Sequence, residues 1–168
     1  MLTSHELIGF MSPVLASDIL SHAFETDKPT YKATLAGIAQ TLHVRPVYLE
    51  RQPRAQRHTA MLSALSRPGL DAVAGGLIRA WLVGKQKPML VDFLNALGIV
   101  NKDGVVDELP ASVEDEKLKA AIETLLAKYP HEAVAVYLNA FNGMNEADWA
   151  NLQELLKNDT RLQLGNHA

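Results

Sequence analysis

Cysteine is missing altogether from these 168 residues. That absence excludes disulfide staples, thiol nucleophiles and any zinc site built on thiolates. Long apolar runs are missing too. The most apolar stretch, PGLDAVAGGLIRAWLV (68–83), is shorter than the ~20 residues a membrane-crossing helix needs, and Arg79 sits inside it. Nor is there an excess of positive charge. The net charge of −3 gives the chain as a whole no field that would gather nucleic acid or an anionic membrane surface. Phosphate-cradling loops are lacking, because Gly75-Gly76 lies within a helical pattern and no GxGxxG or P-loop is present. His131-Glu132 is not the zinc-protease motif, since Ala135 stands where the second His would be. Asn101-Lys102-Asp103-Gly104 hints at a calcium loop, but that register puts Ile99 and Pro110 where carboxylates are required. Asp18, His22 and Glu25 share a helix face and read better as helical ion pairing than as metal ligands. The expectation is therefore no cofactor and no metal. MLTSHELIGFMSP has no basic region followed by a long apolar core, so a secretory signal is not expected and a cytoplasmic location is the default.

What the chain does have is helical periodicity, at an apolar fraction of 48% that suits a packed globule. The central stretch puts Leu70, Val73, Ala74, Leu77 and Trp81 on one face and has little polarity opposite, so it belongs in a core. Two glycines in succession inside a helix each cost roughly 1 kcal/mol relative to Ala. Gly75 and Gly76 are therefore expected to meet a neighbouring helix. Upstream, Thr3 and Glu6 have capping-box spacing, and Ser12-Pro13 reads as an N-cap and first turn. Val14, Leu15, Ile19, Leu20 and Phe24 are expected to point inward. Tyr31, Leu35, Ile38, Ala39 and Leu42 form a clean amphipathic stripe. Downstream, Gly98 stands where a helix wants a left-handed residue, Ser112 reads as a cap, Pro130 restarts a helix and Asn145 reads as the last cap. Asp103-Gly104 between valines and isoleucine is a hairpin signal. The fold expected is all-α, a bundle of about seven to nine helices with a small β-hairpin or loop near 99–107. It is read as one domain over 1–168, with lobes at 1–58 and 59–168 as the alternative division.

An internal echo adds a second expectation. At an offset of 61, AMLSALSRPGLDAVAGGL (60–77) lies over AIETLLAKYPHEAVAVYL (121–138), with Ala60/Ala121, Leu65/Leu126, Val73/Val134 and Leu77/Leu138 identical. Two related helical hairpins would account for it, and so would shared alanine-rich composition.

For function, the most specific stretch is TLAGIAQTLHVRPVYLE (34–50). Ile38, Ala39, Leu42, Val44 and Leu49 fall where two short helices would pack, and the segment 35–58 resembles a helix-turn-helix motif. That resemblance implies a recognition helix with Arg45, Val47, Tyr48 and Arg51 toward base edges. His43 stands where the motif usually has Gly, and Pro53 shortens the second helix to about two turns. Arg45, Arg51, Arg54, Arg57 and His58 make a local basic cluster, a candidate anion or nucleic-acid contact, with Arg54 and His58 on one helical face. The reading favoured for the cluster is a solvated face paired with acids, and Tyr48 and Leu49 are both expected to be mostly buried, with the short helix serving packing more than base reading. Arg79 is the one candidate interior charge. The expected role is a non-catalytic binding or protein-interaction module, by partner or by self-association and without a membrane. Nucleic-acid binding through 35–58 is second, and an enzyme with a pocket near Arg79 or the basic cluster is third.

Overall fold

The computed structural model describes residues 1–165, and those residues form ten α-helices with no strand among them. The helices are α1 (Ser4–Phe10), α2 (Pro13–Thr26), α3 (Lys28–Thr41), α4 (Pro46–Glu50), α5 (Arg54–Leu65), α6 (Asp71–Lys85), α7 (Lys87–Ala96), α8 (Asp115–Lys128), α9 (His131–Asn145) and α10 (Ala150–Asn158). The all-α expectation holds. No described helix is long and apolar enough to cross a membrane. The chain divides into two compact units, one over Leu2–Trp81 and one from Leu82 onward that includes Met1. The alternative division considered from sequence, between 58 and 59, falls inside α5.

Prolines and polar caps set the boundaries of the first unit. The Glu6 carboxylate accepts from the Thr3 N–H at 2.8 Å and closes the capping box of α1. The Ser12 hydroxyl accepts from Leu15 N–H at the start of α2, with Pro13 in the first turn. Asp27 caps α3 by accepting from Thr30 N–H. Pro68 opens a 3-10 turn, Pro68–Leu70, and α6 proper begins at Asp71. α5 packs on α1, α2 and α3, and α4 packs on α3. The Asp71 carboxylate accepts from both the backbone N–H of His5 (2.9 Å) and its Nδ1 (2.7 Å), which pins α1 to the start of α6. Those two bonds hold the Asp71 carboxyl below the usual carboxylate range.

Two packing expectations need correction here. Gly76 is exposed and has open space where a side chain would stand, so it meets no helix. At Gly75 the close neighbour is the Ser4 side chain, 3.0 Å from where a Cβ would lie, rather than a helix backbone. The close approach to α6 is made instead by Gly37 of α3, whose Cβ would sit 2.9 Å from Val73 Cγ2. Val14 is also not inward: it is 81% exposed, because α2 buries Ala16, Ile19, Leu20 and Ala23 and that phase turns Val14 outward.

In the second unit α7 packs on α8, and α9 packs on α8, α10 and a 3-10 turn at Thr160–Leu162. Phe93, Tyr137 and Phe141 meet edge to face with centroids 5.3–5.8 Å apart, and Trp149 tilts against Phe141 at 5.0 Å. The Trp149 indole N–H donates to the Pro110 carbonyl at 3.1 Å and ties down the 99–110 connection. Gly98 is left-handed after α7, as its position predicts, with the Ile99 N–H returning to Leu94 O. The Asp103-Gly104 signal makes a tight turn with a single antiparallel bridge, Lys102 to Val105, and no ladder. Gly104 is required there twice over: its φ is +83°, and a Cβ would come within 2.7 Å of Leu90 Cβ. Three other boundaries differ from the sequence reading. Glu114 rather than Ser112 precedes α8, α9 runs on through Asn145, and Trp149 precedes α10. The segment after α10 opens with a 3-10 turn, Thr160–Leu162.

Candidate functional site

The five residues of the basic cluster do not act as one patch. Arg57 and His58 turn inward. The Nε–H of Arg57 donates to the Tyr31 hydroxyl at 2.9 Å, and its Nη1 donates to the carbonyls of Glu50 and Gln52. Arg57 thus holds the α4–α5 corner against α3. His58 is buried, with Nε2 3.0 Å from the Tyr31 hydroxyl. That hydroxyl already accepts from Arg57, so its own proton is free to go to His58 Nε2 or to Met61 Sδ at 3.7 Å. The imidazole nitrogen is much the better acceptor. His58 is therefore the neutral tautomer with its proton on Nδ1, and Nδ1 makes no hydrogen bond among the described residues. Burial, reinforced by the neighbouring Arg57 and Arg54 charges, pushes the His58 pKa down to about 4. The expectation of a cationic His58 is corrected: near neutral pH it is a buried, uncharged ring that accepts from the Tyr31 hydroxyl.

Arg54 stays at the surface. It donates to Glu25 at 3.0 Å through one Nη and stacks over Phe24 with its guanidinium 4.2 Å from the ring centroid. Lys28 approaches the same ring at 5.0 Å.

Arg45 and Arg51, which flank α4, are exposed and have no acidic partner among the described residues. Leu49 is buried as expected, but Tyr48 is 59% exposed, which corrects its assignment to the core. α4 is one short turn anchored on α3 by Leu49, and that leaves Val47 and Tyr48 outside. The turn before it has His43 at φ +56°, with the Val44 N–H returning to Ala39 O. A left-handed residue does stand where the helix-turn-helix pattern places Gly. Arg79 is exposed on α6 rather than interior, and it joins neither group.

A feature that the sequence reading missed adjoins the cluster. Between α1, α2 and α5 runs an open groove of about 800 Å³. Its walls are two rows of small side chains at four-residue spacing, Pro13, Ser17 and Ser21 on α2 and Ala55, Thr59 and Ser63 on α5. Ile8, Met11 and Leu62 supply apolar surface, and Ser66, His58 and Arg54 belong to the lining as well. No carboxylate lines it. The signal was legible in principle as two i, i+4, i+8 rows, but small residues in a helical pattern attract no notice until the helices carrying them are known to be neighbours.

Among the described residues no group of His, Asp and Glu could hold a metal ion, and no hydrogen bond joins His58 to a serine or threonine hydroxyl. No protein-family model matches the chain, and no curated protein or solved structure is detectably similar to it.

Proposed function

We propose that this chain is a non-catalytic interaction module and that its binding surface is the α1–α2–α5 groove of the first unit. The groove itself carries this reading. Its volume falls in the range of ligand and peptide sites, its surface is largely apolar, and a few polar groups converge on it. The one titratable ring in its lining is a weak base already engaged to Tyr31, which favours recognition over proton transfer. The test is binding of the neutral dye Nile red to the intact protein. Ser63 is exposed on the groove wall, so Ser63→Trp fills the groove without disturbing the core. Loss of dye binding with an unchanged unfolding midpoint is the expected result. Equal dye binding by the variant would remove the groove from consideration.

A second reading, duplex nucleic acid on α3 and α4, is favoured by two observations: the left-handed His43 and the outward Arg45, Val47, Tyr48 and Arg51. Against it stand the five-residue length of α4 and the inward commitment of Arg57. Under this reading DNA binding weakens as salt rises, because phosphate contacts release counterions, and an Arg45→Ala/Arg51→Ala double variant has a shallower salt slope. A salt slope identical in the double variant would contradict it.

A further inference from the structure

The groove also constrains its occupant, and the inference here rests on the reading that the groove is a binding surface. We infer that the partner is a protein segment in an amphipathic helix, with an apolar face of small-to-medium side chains and a carboxylate at the end that meets Arg54. Three observations converge. The first is shape. Two neighbouring helices each present a row of small residues four apart, Pro13–Ser17–Ser21 and Ala55–Thr59–Ser63. Ridges four apart on a third helix fit such rows, and short side chains let its backbone come close. The groove is partly open to solvent, whereas a small molecule is held where most of its surface is enclosed. The second is charge. The lining contains one cation, Arg54, and no acid. Glu25 occupies only one Nη of Arg54, so the remaining donors of the fork stay available to a second carboxylate. The third is an unspent polar group. His58 is 6% exposed, lines the groove, and has no hydrogen-bond partner on Nδ1 among the described residues. Its neutral Nδ1–H offers an acceptor on the partner a donor beside the Arg54 charge. The groups around this ring are Tyr31 on α3, Phe24 on α2, and Arg54 and Arg57 on α5. None is an acid; the neighbouring carboxylate is Glu25, held by one Nη of Arg54.

The experiment selects binders from a display library of 20-residue helical peptides against the full chain, then measures the enriched peptides by titration. Enrichment of peptides with apolar i, i+3/i+4 spacing and a terminal Asp or Glu is the expected result. Arg54→Gln should weaken them about fivefold, as expected for a partly exposed charge pair. Changing the peptide's acid to its amide should have the same effect, with no further loss when both changes are combined. Enriched peptides that lack an acid, or that bind Arg54→Gln equally well, would overturn the charge inference and leave the groove reading standing. Peptides whose binding is unaffected by Ser63→Trp would sink the groove reading itself. Concentration-dependent self-association abolished by Ser63→Trp would make the occupant a second copy, and displacement of the peptide by oleate at equal affinity would make it a free fatty carboxylate; either would overturn the proposal of a partner helix.

Discussion

At the scale of single residues, His58 shows how burial changes a side chain's meaning. In the sequence it adds to a run of arginines. In the fold it is a neutral ring accepting from Tyr31, with a pKa of about 4. The consequence for stability has a definite sign. The folded-state pKa lies below the unfolded value of about 6.5, so between those values the unfolded chain binds the extra proton and stability falls as pH falls. The loss from this group grows as pH falls from about 6.5 and is complete only below the folded-state pKa of about 4. Urea unfolding at pH 7 and pH 4.5 should show a clear drop in midpoint for the wild type and a smaller one for His58→Phe. Equal drops in the two proteins would mean that the ring is not the group responsible. Arg57 makes the same point from the other side: its charge was legible, but its bonds to Tyr31 and two backbone carbonyls depend on a corner that only the folded chain creates.

At the scale of helices, the sequence located most of the elements and buried faces. Most residues on the apolar stripes are buried, among them Leu70, Leu77, Trp81, Phe93, Leu97, Leu126 and Phe141, Trp149 is buried too, and Val73 is half-buried. Proline and glycine punctuation accounts for much of that, because their constraints are local. What failed was long-range. The doublet Gly75-Gly76 looked like the tight contact, and the tight contact is Gly37 against Val73, between helices about thirty residues apart in sequence. Two alanine substitutions separate these cases. Gly76→Ala gains helix propensity in open space and should stabilise by up to about 1 kcal/mol. Gly37→Ala gains the same propensity but drives a methyl into Val73, so it should destabilise by about 1 kcal/mol net, with recovery in the Gly37→Ala/Val73→Ala double variant. Thermal unfolding checks both; a stabilised Gly37→Ala would mean that α3 and α6 stand further apart.

At the scale of the whole molecule, the 61-residue echo in the sequence coincides with one pair of helix starts and misses two others by one and two residues. The starts of α5, α6 and α7 at Arg54, Asp71 and Lys87 have counterparts in α8, α9 and α10 at Asp115, His131 and Ala150. The packing does not follow: α5 lies on α1, α2 and α3, whereas α8 lies on α7 and α9. The groove therefore belongs to surroundings that only the first series has, which is why periodicity and composition gave no sign of it. The measurement that bears most directly on the groove as the binding surface is an amide chemical-shift map of the full chain titrated with Nile red. Perturbations confined to residues 8–21 and 54–66 are the predicted result. Perturbations centred on 43–51, or spread evenly over both units with no change on Ser63→Trp, would contradict it.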